Sequence, residues 1–431
     1  MKLSTITLAV SLAFSASAVS ANDRFIDVIV SLDEHQPGQH IENQNAARNV
    51  AQGLGLNPSH VFGTALTGFS ARIPENRMDA LKSHPRVASV DIDQPVYLVG
   101  APEQANSANP NNRPNSGGNN TLSSQTVPWG IDRIGSQNNG NTGAGIRVYV
   151  LDTGIDPNHR DLNVAGGFAS ENCRGRCPAP WHDDHGHGTH VAGTSSALDN
   201  DVDVVGVAPD SVLYAVKVLS KSGSGSRSGV IAGIDWVAQQ AIEYGQPVVA
   251  NMSLGGSGSK TGTCTDSGFV GSDTYHEALC NAKNVGVVFV VAAGNSGADA
   301  AGAVPAAYDD AVITVSATNA NDDWTSWSNW GNSSAGWTSN NSAPVAIAAP
   351  GASILSTQTG GGTTTMSGTS MASPHVAGAA ALILSSNPQQ NNGSAFLNVR
   401  SILLNQAEDT SSFSNTSGNP HDEDFVDASS L

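Results

Sequence analysis

GTSMASPHVAGAAALIL, residues 368–384, starts with small turn-forming residues and continues as an alanine-rich apolar run. The run predicts a buried helix, and Pro374 is expected in its first turn because proline lacks the N–H that a helix interior needs. Ser370 is therefore predicted at a helix N-terminus, where unpaired backbone N–H groups favour developing negative charge. Ser370 can be read either as a helix cap or as a nucleophile.

Strand-like apolar runs precede this stretch and alternate with helix-like segments from about Val127 onward. They are GIRVYVLD, SVLYAVKVL, PVVANMSL, GVVFVVAAG and AVITVSA. Nearly continuous apolar strands separated by helices indicate a largely parallel sheet that is covered by helices on both faces, an α/β fold. In such sheets functional residues gather at the carboxyl ends of the strands.

Three shorter regions come before this large domain. Residues 1–21 have the charge, apolar core and small-residue ending of a secretory signal peptide. Residues 22–100 show a β-α-β-α-β pattern of one small α+β domain. Residues 101–124 are rich in Asn, Pro, Gly and Ser and predict a flexible linker to a domain at 125–431.

Composition narrows the classes of partner. The 431 residues include 19 Lys plus Arg against 37 Asp plus Glu, a formal net charge of -18. Such acidity argues against nucleic acid and anionic membranes as partners and suits a protein that binds cations. No segment after the signal is long and apolar enough to span a bilayer. We therefore expect a secreted, extracellular protein, and we expect it to be a monomer.

The four cysteines of an exported chain are expected to be oxidised, and four cysteines allow three connectivities. Two local pairs are favoured, Cys173 with Cys177 and Cys264 with Cys280. A zinc site is the alternative, although the two pairs lack the spacing of a zinc ribbon.

Polar residues that follow the predicted strands supply the parts of an acyl-transfer site. Asp152 ends one strand, Asn295 ends another, and HDDHGHGTHVAGT at 182–194 gathers four histidines before a helix-like segment. With Ser370 they provide an orienting carboxylate, a base, a nucleophile and an amide donor. A zinc peptidase built on the histidines is the alternative, but the HExxH helix is absent.

Six short blocks stand in the order and spacing of one family: VYVLDTGID, HGTHVAGT, GVAP, NMSLGG, AAGN and GTSMASPHVAG. The chain thus resembles the subtilisin-like serine proteases (subtilases, peptidase S8 family) from residue 125 to about 405. The resemblance implies that Asp152 orients, His187 is the general base and Ser370 attacks. Asn295 would donate to the oxyanion, whereas His185, His190 and His375 are expected to be loop or structural residues.

The resemblance also implies where a peptide substrate lies. An extended peptide would pair as an added strand between two backbone edges, and small residues would form an uncharged main pocket. The implied substrate-binding residues are Gly223, Ser224, Gly225, Ser253, Leu254, Gly255, Ala292, Ala293 and Gly294. Broad cleavage of proteins after large apolar residues is the expected specificity.

The small first domain resembles the family's inhibitor-I9-type propeptide, which has a ferredoxin-like fold, assists folding and then occupies the cleft. The resemblance implies a self-inhibited precursor that cuts itself close behind the last strand, between Tyr97 and Ala105. A stable second domain in the mature protein is the alternative. A secreted binding protein that keeps the fold without catalysis is the rival function.

A structural Ca²⁺ ion is the cofactor that the resemblance implies. LDNDVDV at 198–204 resembles the family's tight calcium loop, with Asp199, Asp201 and Asp203 expected to point outward. Carboxylate, amide and carbonyl oxygens are the ligands that calcium prefers. The implied ligands are Gln125, Asp161, Leu198, Asn200, Val202 and Val204.

Two regions depart from the family pattern. Ala346 stands where many relatives carry an aspartate, so a second family calcium site is not expected. A polar insertion holds several tryptophans, of which Trp327 and Trp330 are expected to pack and Trp337 is a candidate exposed binding residue.

Overall fold

The computed structural model of the chain describes residues 24–99, 124–138, 140–331 and 344–431. The predicted signal peptide at 1–21, most of the linker at 101–124, and Trp337 lie outside the described residues. Within the described residues, no helix is both long and apolar enough to cross a membrane.

The N-terminal domain is a four-stranded antiparallel sheet with helices on one face. Its strands lie in the order β2-β3-β1-β4, the arrangement of a ferredoxin-like fold. The elements are β1 (Phe25–Leu32), α1 (His40–Gly53), β2 (Pro58–Phe62), β3 (Gly68–Pro74), α2 (Met78–Lys82), β4 (Val87–Ile92) and a separate β5 (Pro95–Leu98). Val28 and Val30 face the helices, while Ile29 faces the large domain, because successive side chains on a strand point to opposite faces.

The predicted β-α-β-α-β pattern has three strands, but the regions of its second and third strands each form two strands. Residues 61–73 make the end of β2, a turn and then β3, and residues 88–99 make β4 and then β5. The turn from Gly63 to Ala65 is stabilised by the large domain, because these three backbone N–H groups donate to the carboxylate of Asp235. A contact 170 or more residues away in the sequence is not visible in the local pattern.

The large domain is built on a seven-stranded sheet in which all neighbouring strands are parallel. The strand order is β17-β16-β14-β10-β6-β8-β7. The strands are β6 (Arg147–Asp152), β7 (Val164–Ala169), β8 (Val212–Lys217), β10 (Val248–Met252), β14 (Val287–Ala292), β16 (Val312–Thr318) and β17 (Ile347–Pro350). The predicted parallel sheet is confirmed.

Helices cover both faces of this sheet. They are α3 (Trp129–Arg133), α4 (His187–Ser196), α5 (Arg227–Tyr244), α6 (Thr274–Asn284), α7 (Thr369–Ser386) and α8 (Ser394–Gln406). Along β6, Val148 and Val150 pack in one core cluster with α4 and α7, and Tyr149 and Leu151 pack in the other with α5 and α6. The strands read as continuous apolar runs because neither face meets water.

Short strands surround the main sheet and carry its surface loops. They are β9 (Ser224–Ser226), β11 (Leu254–Ser257), β12 (Thr263–Thr265), β13 (Gly268–Val270), β15 (Ala303–Val304), β18 (Ile354–Thr357) and β19 (Thr363–Met366). Both favoured disulfides are present, Cys173–Cys177 and Cys264–Cys280.

The predicted position of Pro374 in the first turn of α7 was wrong. The helix begins at Thr369, so Pro374 is its sixth residue. A proline there cannot donate to the carbonyl four residues earlier, which belongs to Ser370. The Ser253 hydroxyl donates to that carbonyl instead, at 2.9 Å. A side chain from the neighbouring segment thus satisfies the acceptor that the proline leaves free.

Candidate active site

Asp152 and His187 meet where β6 ends and α4 begins. His187 Nδ1 lies 2.9 Å from Oδ1 and 3.0 Å from Oδ2 of Asp152, whose side chain is fully buried. The Thr153 backbone N–H also donates to Oδ1, at 2.7 Å. Gly188 allows the helix this close, because a Cβ there would lie 2.1 Å from the Gly154 carbonyl oxygen. A larger residue at 188 would therefore separate the imidazole from the carboxylate.

Two opposing effects act on the His187 imidazole. Burial by itself would lower its pKa, but the charge of Asp152 and the hydrogen bond to it raise the pKa above the ordinary value of 6.5. The Nδ1–H···carboxylate bond leaves Nε2 as the nitrogen that is free to accept a proton. This Nε2 is buried and has no hydrogen-bond partner among the described residues.

Ser370 and Asn295 converge on one carbonyl group. The Asn295 Nδ2 donates to the Val99 carbonyl oxygen at 2.8 Å, and the Ser370 Oγ donates a short hydrogen bond to the same atom. The Asn295 Oδ1 accepts from the N–H and the hydroxyl of Thr369, both at 2.9 Å, which fixes the orientation of the amide. Thus an amide donor and a serine hydroxyl both lie at a peptide carbonyl of the chain itself.

Gly368 is the residue that leaves room for this arrangement. Its φ is +156°, and a Cβ there would lie 3.1 Å from the Asn295 Nδ2 and 3.4 Å from the Val99 carbonyl oxygen. Any side chain at 368 would therefore crowd the donor and the carbonyl. The small residue before Thr369 and Ser370 is thus required by close approach as well as by the start of α7.

The strand β5 lies between two edges of the large domain. It pairs antiparallel with β9 on one side and with β11 on the other. Its Leu98 N–H donates to the Gly223 carbonyl at 2.9 Å, and the Val99 N–H lies 3.5 Å from the Ser253 carbonyl. The end of the N-terminal domain therefore occupies the cleft as an added strand.

A cavity of about 390 Å³ opens beside Val99. The predicted residues Leu254, Gly255, Ala292, Ala293 and Gly294 all line it. The expectation of an uncharged pocket was wrong, because Asp299 is also part of the lining. This residue caps the one-turn 3-10 helix at Ala300–Gly302, a local role that the sequence pattern around the pocket did not reveal.

The other histidines of the motif regions have separate partners. His190 Nε2 lies 3.0 Å from the Ile354 carbonyl, and burial lowers its pKa to about 3. His375 Nδ1 lies 2.8 Å from the Met371 carbonyl, and burial lowers its pKa to about 4. These contacts agree with the structural roles expected for His190 and His375. They do not place His190 in a common site with His187. His185 is exposed and contacts the His187 backbone.

Three carboxylates hold the N-terminal domain on the large domain, and the sequence reasoning missed all of them. Asp235 on α5 accepts hydrogen bonds from the backbone N–H groups of the turn from Gly63 to Ala65. Asp93 accepts the Ser228 N–H at 3.0 Å near the start of α5, and Asp91 accepts the Thr274 N–H at 2.8 Å at the start of α6. Carboxylates at helix N-termini satisfy free N–H groups and oppose the positive end of the helix dipole.

The predicted calcium ligands come together at one place. Gln125 Nε2 donates to the carbonyl oxygens of Leu198 and Val204, at 2.9 and 3.4 Å. Asn200 Nδ2 donates to Oδ1 of Asp161 at 2.8 Å, and the Val204 N–H donates to Oδ2 at 3.1 Å. The sixth predicted residue, Val202, donates its N–H to the Asn200 Oδ1 at 2.8 Å.

The donor chemistry of this loop fits a calcium ion. Burial raises the pKa of Asp161 to about 6, with hydrogen bonds from Val204 and Asn200 acting in the opposite direction. A bound cation would favour the ionised carboxylate, and the neighbouring oxygens are of the mixed type that calcium takes.

One expectation for the calcium loop was wrong. Asp199 and Asp201 are exposed as predicted, but Asp203 is buried and pairs with Arg160 at 2.7 Å. Its backbone has a positive φ of 54°, and its carbonyl accepts the Thr126 N–H at 2.9 Å. The fold of the loop, rather than the alternation of acidic residues, therefore decides which side chains face solvent.

The tryptophan region agrees with the expected packing where it is described. Trp327 is half-buried against the main core, and the half-buried Trp330 donates to the Gly297 carbonyl at 3.4 Å. Trp324 is buried and donates to Glu423 at 3.1 Å.

Sequence comparisons assign both domains to known families. Residues 143–423 match the subtilase family, and residues 27–99 match the peptidase inhibitor I9 family. The chain is 34% identical over 412 residues to an alkaline protease of Alkalihalobacillus alcalophilus. The aligned residues are 93% of this chain and 91% of the relative. It is 43% identical over 272 residues to subtilisin DY of Bacillus licheniformis, covering 61% of this chain and 86% of the relative.

A solved structure shows the same likeness. The crystal structure of a cold adapted subtilisin-like serine proteinase superposes with a TM-score of 0.55 at 36% sequence identity. The match covers 70% of this chain and 98% of the other.

Proposed function

Because this chain belongs to the subtilase family and is a subtilisin-like serine endopeptidase, we propose that Ser370 hydrolyses protein peptide bonds through an acyl-enzyme. In this proposal His187 is the general base, Asp152 orients it, and Asn295 donates to the oxyanion. The observation that carries the proposal is the Val99 carbonyl, which receives hydrogen bonds from both Asn295 and Ser370.

Serine is a weak nucleophile until a base takes its proton. In acylation the Ser370 Oγ attacks the substrate carbonyl while its proton moves to the free Nε2 of His187. Asp152 keeps Nδ1 protonated and stabilises the imidazolium that forms. The imidazolium then gives the proton to the leaving amine, the C–N bond breaks, and water repeats the sequence to release the acid.

One change of hydrogen bonding separates the observed arrangement from the reacting one. In the structure the Ser370 hydroxyl donates to the Val99 carbonyl, and His187 Nε2 has no partner among the residues described. Attack requires the hydroxyl to donate to Nε2 instead, while Asn295 keeps its bond to the carbonyl. Catalytic hydrogen bonds of this kind often shorten only as the transition state is approached.

The first substrate is the chain itself. Val99 occupies the position before the scissile bond, so self-cleavage separates Val99 from Gly100. The freed N-terminal domain would remain as an inhibitor, since β5 fills the cleft and Asp235, Asp93 and Asp91 hold the two domains together. The precursor is thus self-inhibited and the linker stays on the enzyme.

The specificity follows from the size of the pocket and its lining. The side chain of Val99 leaves a cavity of about 390 Å³ beside it, so the pocket has room for side chains larger than valine. Mostly small and apolar residues line the cavity, which supports broad cleavage after large apolar residues.

A structural calcium ion would be held by Asp161, Gln125 and Asn200 together with the carbonyls of Leu198, Val202 and Val204. When bound, the ion would supply positive charge to the buried Asp161 carboxylate, and its ligands would link the segment before α3 to the loop after α4. Export as a secreted protein is part of the proposal, supported by the signal-like residues 1–21 and by the two disulfides.

A serine-directed phosphonylating reagent tests this function on the processed protein. We expect complete, irreversible loss of peptide hydrolysis, with one phosphonyl group located on Ser370 by mass spectrometry. The Ser370→Ala variant should remain a full precursor that still carries Arg24 to Val99. A processed protein without peptidase activity would favour a binding protein, and activity that resists the reagent but fails with a chelator would favour the zinc peptidase.

A further inference from the structure

Lys217 is a fully buried lysine at the end of the strand next to Asp152. It is the last residue of β8, the parallel pairing of β6 with β8 places it opposite Asp152, and its exposed fraction is 0%. A buried ammonium group is costly unless its hydrogens find acceptors and its charge finds a partner. The proposed mechanism does not use Lys217, so its position there calls for another role.

All three ammonium hydrogens of Lys217 are engaged. Nζ donates to the Thr153 carbonyl at 2.6 Å, to Oδ1 of Asp184 at 2.7 Å and to the Leu219 carbonyl at 2.9 Å. An ammonium group has three donors and no acceptor, so these contacts use its whole capacity. One side chain thus joins three segments that are far apart in the sequence.

Thr153 transmits this contact to Asp152. The Thr153 N–H donates to Oδ1 of Asp152 at 2.7 Å, so the position of residue 153 orients the carboxylate. The hydroxyl of the same residue donates to Oδ1 of Asp183 at 2.8 Å. Thr153 is therefore fixed by its side chain on Asp183 and by its carbonyl on Lys217.

Asp184 transmits the contact to the loop that leads to His187. It lies three residues before this histidine, and its Oδ2 accepts the Arg174 N–H at 3.0 Å. Burial by itself would raise the pKa of Asp184, but the hydrogen bonds from Arg174 and Lys217 hold the pKa below its ordinary value of 3.8. Asp184 is therefore charged, and it neutralises the buried ammonium group.

We propose that Lys217 is a positioning residue that, together with Asp184, sets the distance between Asp152 and His187. Its ammonium group holds the strand end that carries the carboxylate against the loop that leads to the base. The contact that this arrangement protects is close, because His187 Nδ1 lies 2.9 and 3.0 Å from the two oxygens of Asp152. The inference rests on the proposed function, which gives Asp152 and His187 their roles.

The double variant Lys217→Met/Asp184→Asn tests this inference. Methionine keeps most of the length of the lysine side chain, and the two changes remove one positive and one negative charge, so the net charge stays the same. A misplacement of about 1 Å can cost about 10²-fold in rate. On a fluorogenic peptide that copies residues 96–99, we therefore expect kcat to fall by about ten- to a hundredfold with little change in KM. Phosphonylation of Ser370 counts the active sites, so misfolded protein does not lower the measured kcat.

The pH profile is a readout that a purely structural role would not move. Burial lowers the pKa of His187, but the charge of Asp152 and the hydrogen bond to it raise the pKa above 6.5. A looser pair loses part of that increase, so the acidic limb of the kcat/KM profile of the double variant should move to lower pH. Because the net charge is unchanged, the shift reports the geometry of the pair.

Lys283 offers a matched control. It is also a buried lysine, 2% exposed, but it lies on α6 and pairs with Asp266 at 3.6 Å. Lys283→Met should lower the melting temperature while kcat and the acidic limb stay as in the wild type. An equal fall in kcat in this control would assign the effect to the loss of any buried lysine and would overturn the proposal.

The remaining outcomes separate this inference from the proposed function. A kcat within about threefold of the wild type, the size of one net hydrogen bond, and an unmoved acidic limb in the double variant would give Lys217 a purely structural role. If the double variant does not fold, Asp184→Asn decides, since its amide oxygen can still accept from Lys217. We then expect kcat to fall by about threefold, and a wild-type kcat overturns the proposal. If the wild-type protein neither cleaves the peptide nor reacts at Ser370 with the phosphonylating reagent, the proposed function fails instead.

Discussion

Replacing Asn295 by alanine is the sharpest test of the proposed chemistry. The Asn295 Nδ2 donates to the Val99 carbonyl at 2.8 Å, and the anchored Oδ1 keeps the amide pointed at it. A preorganised donor of this kind acts mainly on the charge that develops in the transition state. We therefore expect kcat to fall by about 10² to 10³, or roughly 2.7–4 kcal/mol, with little change in KM.

Steady-state hydrolysis of a peptide ending in the Val96–Val99 sequence measures this effect. The matched control is Asn295→Asp, which keeps an oxygen for Thr369 but loses the amide donor. Both variants should be impaired in kcat, and both should mature more slowly because the same donor contacts Val99 in the precursor. Intact mass of the secreted material reports the maturation.

Two results would refute this reasoning. A loss of less than tenfold in kcat for both variants would mean that Asn295 does not stabilise the oxyanion. A normal kcat for Asn295→Asp beside a large loss for Asn295→Ala would assign the effect to the anchoring of Thr369. The Ser370→Ala variant gives the background, which should be lower than either.

Three further outcomes are expected. Since a neutral His187 is needed and its pKa is raised, hydrolysis should fall as pH drops through a value above 6.5, and Asp152→Asn should move that limb of the kcat/KM profile to lower pH; an unmoved limb contradicts the pairing. A chelator should lower the melting temperature of the wild type but not of Asp161→Asn; equal shifts would argue against the calcium site. Replacing Cys264 and Cys280 together by serine should cost about 3 kcal/mol of unfolding free energy in denaturant titration, and a change below about 1 kcal/mol contradicts that entropy argument.

The motif residues could be found from the sequence because their chemistry is local. Asp152 ends an apolar strand, Asn295 lies three residues after the end of another, and Ser370 lies two residues after a glycine at a helix start. Parallel strands bring their carboxyl ends to one edge of the sheet, so placing each motif on its strand or helix was enough to expect a common site.

The contacts between the two domains could not be found in this way. Asp235 reads in the sequence as a polar position on the amphipathic helix α5, and nothing near it points to Gly63 or Thr64. The same holds for Asp91 and Asp93, whose partners lie 183 and 135 residues away. A polar residue that the helical periodicity places on the solvent side becomes buried only when another domain covers it.

For the residues around Ser370, too, one part of the arrangement could be predicted from the sequence and another part could not. The sequence alone determined a parallel α/β domain, a small α+β domain before it, and Ser370 at the start of a buried helix, because apolar periodicity and turn residues act over short distances. Only the tertiary structure decided that Pro374 lies in the second turn and that Leu98 lies beside Gly223. Those outcomes depend on the Ser253 hydroxyl and on the strand β5 reaching the cleft, contacts that chain folding creates between residues far apart in sequence.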